Sequence, residues 1–164
     1  MNGRQMVILG SGDYTYESFF RERAARHPGM FGLWVGFVPD LARKVYAGAD
    51  MFLMPSKSEP CGLAQMVALR YGTVPVVRGT GGLDDTVVDA LANPDEGTGY
   101  KFVDYTPEAF ITVLAKAVSD YSRPDIWNGI VHRAMSRNYS WDMSAEGYEE
   151  VYARALALAA GRVA

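Results

Sequence analysis

The residues with the most chemical promise lie in two short turns. The first, P-S-K-S-E-P-C-G-L at 55–63, holds one carboxylate, Glu59, beside the only cysteine of the chain, Cys61. The second, R-G-T-G-G-L-D-D at 78–85, sets Thr80, Gly81 and Gly82 before a helical start at Leu83. A glycine pair lets backbone approach a ligand closely, and the free N–H groups of a helix start attract phosphate. Each feature also has a plain structural reading. A loop glutamate is usually solvated. Cys61 reads as a small packed residue or a site lining, and Asp84 and Asp85 suit a first helical turn for structural reasons alone. On these residues, the turn at Thr80, Gly81 and Gly82 divides evenly between a site and a structural turn.

Other chemistry finds little support. A Cys–His nucleophile would need His27 or His132, the only histidines, and no motif brings either near Cys61. No Walker sequence, C-x-x-C pair or H-E-x-x-H is present, so P-loop hydrolysis and a zinc site have no basis, and no cofactor is expected. Gly10-Ser11-Gly12 resembles the start of a dinucleotide fingerprint, but Thr15 stands at its third position. The plainer reading is a tight turn that needs unusual backbone angles.

The turns are positioned by an alternation of apolar runs and helical patterns. Strands are expected at 5–9, 31–35, 51–54, 74–77 and 100–103. Helices are expected from a cap at Asp13, at 40–47, from about Gly62 to Tyr71, and from Leu83. Three more follow at 107–120, 124–136 and 141–160, the last burying Trp141, Ala145, Tyr148, Tyr152 and Leu156. This order is that of an α/β open parallel sheet with C-terminal helices. If the third and fourth strands are parallel neighbours, both turns open at the carboxyl edge of the sheet, where ligands of such sheets bind. No linker divides the chain, so 1–164 reads as a single domain.

Composition bounds the partners. At 164 residues, 49% hydrophobic and 21% charged, the chain is ordinary for a globular domain. A net charge of -3, a pI near 5.4 and the lack of a basic run give no reason to expect nucleic acid. One cysteine excludes an internal disulfide framework. Without a long apolar segment or a signal-peptide core, no membrane partner is expected, and the default location is cytoplasmic, or plastidic in a plant.

The run P-S-K-S-E-P-C-G-L-A-Q, then R-Y-G-T-V-P-V-V-R-G-T-G-G-L-D-D-T-V, resembles the C-terminal domain of bacterial glycogen synthases and plant starch synthases. L-G-S-G-D at 9–13, G-A-D at 48–50, G-T-G-Y-K-F at 97–102, and S-W-D with a later E-x-x-Y at 140–152 fall in that family's order. The resemblance therefore covers nearly the whole chain. It implies a Rossmann-like three-layer domain, the C-terminal half of the two-domain arrangement called GT-B. That half holds the nucleotide-sugar donor, and the glucan acceptor lies mostly on the N-terminal half. The family's R-L-x-x-Q-K-G segment, which neutralises the donor diphosphate, is absent from this sequence, so the chain alone is expected to be inactive.

Carried over by position, Glu59 matches the acid near the donor glucose. Cys61, Gly62 and Leu63 match the segment whose backbone lines the sugar, and Thr80, Gly81 and Gly82 match the loop at the diphosphate. Phe37 stands where the family usually has a tyrosine stacked on adenine, so the ring is kept and the hydroxyl lost. Val67, eight residues after Glu59, takes no role. The implied reaction moves glucose from ADP-glucose to the non-reducing end of an α-1,4-glucan, with retention and without metal. The helix turn after Gly82 would supply N–H donors; Arg78 and Lys57 divide evenly between adding charge there and being solvated or packing residues.

Two other readings stay open. One is a stand-alone adenine-nucleotide-binding module without catalysis; the other, an oxidoreductase domain, rests on Gly10 and Gly12 alone. The family's C-terminal helix packs on the other domain, so the face bearing Tyr148, Val151, Tyr152 and Leu156 is expected to promote self-association here.

Overall fold

The computed structural model describes residues 3–161. Where the sequence reads as one domain over 1–164, the contacts group the chain into two compact units, Met1–Ala49 and Asp50–Ala164. Each is described by itself.

In the first unit, strand β1 (Met6–Gly10) and strand β2 (Phe31–Val35) pair in parallel, with Met6 opposite Phe31 and Gly10 opposite Val35. Helix α1 (Tyr14–Arg26) makes the crossover between them. Its start is set by Asp13, whose carboxylate accepts the Thr15 N–H at 2.8 Å, while Glu17 reaches back to the Gly12 N–H at 2.9 Å. Helix α2 (Pro39–Gly48) opens on Pro39, which is pre-set for a first turn. The Phe20 ring stacks on Phe31, yet none of the described residues of this unit is buried. The expectation of unusual backbone angles at Gly10 and Gly12 is corrected. Neither has a positive φ, and a Cβ at either would meet nothing within 4 Å.

The second unit is built on three parallel strands in the order β3 (Met51–Met54), β4 (Val74–Arg78), β5 (Tyr100–Phe102). Strand β4 lies in the middle, and four of its five residues are buried. Alternation along it decides the core. Val74 and Val76 join Tyr100, Ala117, Trp127 and Ile130 on one face, and Val77 joins Leu83 and Val87 on the other. Pro75 is unusual in a central strand. The Val74 N–H bonds toward β3, to Asp50, so the missing N–H of Pro75 faces β5, whose ladder begins only at Val76.

Helices α3 (Ala64–Tyr71), α4 (Gly82–Thr86), α5 (Pro107–Tyr121) and α6 (Pro124–Met135) surround this sheet. Helix α5 is capped by Thr106, which accepts the Ala109 N–H, and begins at Pro107. Arg133 of α6 holds the preceding loop by donating to the carbonyls of Gly97 and Pro94. Helix α7 (Trp141–Ala159) departs from expectation. Trp141, Ala145, Tyr148, Tyr152 and Leu156 are all exposed rather than buried, Trp141 at 82%. The periodicity is there, but the described chain offers it no covering surface. No helix is long and apolar enough to cross a membrane among the described residues.

Candidate functional site

Strands β3 and β4 are parallel neighbours, with Met51 opposite Val74 and Met54 opposite Val77. Their two following turns therefore leave the same sheet edge, and the structure packs one against the other. The Gly82 N–H donates to the carbonyls of Glu59 and Pro60, both at 3.2 Å. A Cβ at Gly81 would stand 2.1 Å from the Glu59 oxygen, and one at Gly82 would stand 2.0 Å from the Cys61 oxygen. Both glycines are demanded by this approach of backbone to backbone. Gly81 also adopts φ 49° and ψ −135°, where a side chain would be strained.

The acidic loop is held from a second direction by α3. Gln65, fully buried, turns its Nε2 back to the carbonyls of Cys61 at 3.1 Å and Gly62 at 2.8 Å. Four consecutive carbonyls, from 59 to 62, thus face buried donors. No cis peptide occurs among the described residues. In a trans peptide each N–H points opposite to the carbonyl it is bonded to. The N–H groups of Cys61, Gly62 and Leu63 therefore point away from Gly82 and Gln65, toward the side of the loop where Cys61 and Leu63 are exposed. None has an acceptor among the described residues. Successive unbonded N–H groups ahead of a helix attract oxygen ligands of negative or partly negative charge.

The expected donors of α4 are corrected by the same geometry. Its first-turn amides are already used: Gly82 on the acidic loop, Leu83 on the Thr80 carbonyl, Asp84 and Asp85 on the Gly81 carbonyl. Only the Thr80 and Gly81 amides, just ahead of the helix, lack an acceptor among the described residues. Asp84 turns to Lys101, whose Nζ lies 2.7 Å from its carboxylate. The first-turn charge is thereby partly neutralised.

Of the cationic candidates, Arg78 serves as a strut. It donates to the Val103 carbonyl at 2.9 Å and the Lys57 carbonyl at 2.7 Å, and its guanidinium lies over the Tyr105 ring. Lys57 is exposed, with no ion pair among the described residues. Among the described residues no group of three or more His, Cys, Asp or Glu side chains is placed to hold a metal ion.

The structure thus brings Glu59, Cys61, Gly62 and Leu63 together with Thr80, Gly81 and Gly82. Cys61 is exposed, which leaves the site-lining reading and removes the packed one. Phe37 belongs to the first unit, where its ring is 91% exposed. Sequence reasoning passed over Gln65 and Thr86. The available signal was a glutamine on the face of α3 that also carries Ala68 and Leu69, where an apolar residue would be ordinary.

A family profile described as glycosyl transferases group 1 matches residues 2–130. The glycogen synthase of Geotalea uraniireducens (strain Rf4) is 50% identical over 153 residues, 93% of this chain and 32% of that protein. That of Geobacillus thermodenitrificans (strain NG80-2) is 47% identical over 148 residues, 90% of this chain and 30% of that protein. The catalytic domain of starch synthase IV from Arabidopsis thaliana, solved bound to ADP and acarbose, superposes with a TM-score of 0.82 at 33% identity. The match covers 92% of this chain and 32% of that one. The chain therefore spans 30–32% of the length of these relatives.

Proposed function

The chain belongs to the group 1 glycosyl transferases, and on that premise we propose that it is the donor-sugar domain of a retaining glucosyltransferase. In this reading glucose passes from ADP-glucose to the non-reducing end of an α-1,4-glucan. The observation that carries it is the row of outward N–H groups at 61–63 beside Glu59, packed against the Thr80, Gly81 and Gly82 turn. Such a row suits a ligand rich in hydroxyl and phosphoryl oxygens.

Each residue takes a role in this reading. The N–H groups of Cys61, Gly62 and Leu63 hold oxygens of the donor, and Glu59 accepts from a sugar hydroxyl. As the bond between the anomeric carbon and the diphosphate oxygen breaks, charge grows on the leaving ADP and needs donors already in place. The free amides of Thr80 and Gly81 and the ammonium of Lys57 supply them. The glucan hydroxyl oxygen bonds to the anomeric carbon on the face that ADP leaves and passes its proton to the departing diphosphate oxygen. Phe37 offers an exposed ring for adenine, and the loss of a tyrosine hydroxyl there leaves stacking intact. The names of the relatives support glucan synthesis, and the ADP in the starch synthase structure supports an adenine donor. The acceptor glucan is assigned, on the same reading, to the part of a full-length relative that this chain does not span.

Calorimetric titration of the chain with ADP, ADP-glucose, UDP-glucose and NAD in one buffer tests the reading. Adenine-selective binding that weakens in Phe37→Ala is expected. Preference for UDP-glucose would overturn the donor, and preference for NAD would overturn the class.

A further inference from the structure

We propose that Gln65 is a positioning residue of this site, which together with Thr86 latches the 59–62 loop so that its carbonyls face inward and its N–H groups outward. The inference rests on the transferase reading above, since the loop it positions is the donor loop.

The hydrogen bonds run in one consistent direction. Nε2 of Gln65 lies within hydrogen-bond distance of three acceptors, the carbonyls of Cys61 and Gly62 and, at 3.1 Å, Oγ1 of Thr86, which share its two N–H groups. The two carbonyls accept only, which fixes the orientation of the Gln65 amide. The Thr86 hydroxyl in turn donates to the Gly82 carbonyl at 2.5 Å. One side chain thus connects the acidic loop, α3 and α4, and does so from a fully buried position. Loop and glycine turn are also joined by Arg78, which reaches the Lys57 carbonyl, and by the Gly82 N–H, which reaches the carbonyls of Glu59 and Pro60. The next two carbonyls, whose peptide planes aim the Gly62 and Leu63 N–H groups, depend on Gln65.

Oε1 of Gln65 is buried and has no hydrogen-bond partner, an uncommon state for a buried acceptor. It is pressed against Gly62, where a Cβ would stand 2.4 Å away. A methionine would fill the same space without the orphaned oxygen but would leave the Cys61 and Gly62 carbonyls without their donor. The hydrogen bonds of this side chain all go to the loop and to Thr86, so what it fixes is the orientation of the loop.

The test compares Gln65→Met, Thr86→Val and Thr86→Ser in the full-length protein that carries this chain, with ADP-glucose and glycogen as substrates. Gln65→Met should lower kcat/KM by about 10²-fold through misplaced donors in a protein still folded at the assay temperature, although its thermal unfolding midpoint should fall as the Cys61 and Gly62 carbonyls lose their donor. Thr86→Val should fall in the same direction, and Thr86→Ser, which keeps the hydroxyl, should behave as wild type. Unchanged kcat/KM in Gln65→Met, or equal losses in both Thr86 variants, overturns the latch. In the 164-residue chain, the amide NMR resonances of Gly62 and Leu63 should shift or broaden in Gln65→Met while those of β4 stay in place. Unmoved resonances also overturn the latch. A wild-type protein that transfers no glucose overturns the transferase reading instead, and the NMR arm still decides whether Gln65 sets the loop.

Discussion

The amide of Gly82 donates to the carbonyl oxygen of Glu59 at 3.2 Å, so the glycine turn closes on the acidic loop. A Cβ at position 82 would also lie 2.6 Å from the Cys61 Cα, and backbone has no rotamer with which to give way. Gly82→Ala is therefore expected to destabilise the fold by about 3 kcal/mol, seen as a lower urea midpoint. Gly12→Ala, with open space around it, should leave that midpoint unchanged. Equal midpoints for the two variants would show that the turns are not one packed unit.

Removing the Glu59 side chain leaves that backbone contact intact. Glu59 is half-buried and makes no side-chain hydrogen bond or ion pair among the described residues. Glu59→Ala should move stability by no more than about 0.5 kcal/mol and lower the turnover of the full-length protein by about 10²-fold or more. Glucosyl transfer and thermal melts on the same preparation decide it; a loss of folding equal to the loss of turnover would count against a role at the sugar.

A second buried pair predicts the response to pH. The Tyr100 hydroxyl donates to Asp120 at 2.9 Å, and Lys116 and Arg123 pair with the same carboxylate. Burial opposes ionisation of Asp120, but the hydrogen bonds from Arg123, Lys116 and Tyr100 outweigh it and hold its pKa below the usual 3.8. Its contribution is thus complete above that value and lost as pH falls through the lowered one. Burial, then the bond to Asp120, raises the Tyr100 phenol well above the usual 10.0. Stability from the neutral phenol is complete below pH 10 and lost as pH rises toward the raised value. Tyr100→Phe should cost about 1–2 kcal/mol at neutral pH and flatten the alkaline decline. Urea midpoints from pH 2 to 12 would show both effects, and an alkaline limb identical to wild type would disprove the assignment to Tyr100.

Helix α7 carries Tyr148, Val151, Tyr152 and Leu156 on one side, all more than half exposed. An apolar stripe of this size in water favours association. Light scattering should show mass rising with protein concentration, and Tyr152→Glu with Leu156→Glu should abolish the rise. A monomer at every concentration would mean that the stripe is tolerated as it stands.

The sequence by itself determined the elements and their order. Apolar runs of four or five residues, proline at helix starts and glycine at turns are local signals, and the strands and helices they mark all form within a few residues of where they are expected. The α/β class follows from that order, whereas the common edge of the two turns was conditional on the third and fourth strands being parallel neighbours, which the structure supplies. Three matters were decided only in the tertiary structure. Whether an amide is free depends on which carbonyl lies opposite, so the donors moved from the first turn of α4 to 61–63. Whether a glycine is required depends on what a Cβ would strike, so Gly81 and Gly82 are fixed by the neighbouring loop and Gly12 is not. Whether an apolar stripe is core depends on having something to cover it, so the stripe of α7 is surface while Val74 and Val76 are core. Each is a relation between segments distant in the chain, and local periodicity carries no record of such relations.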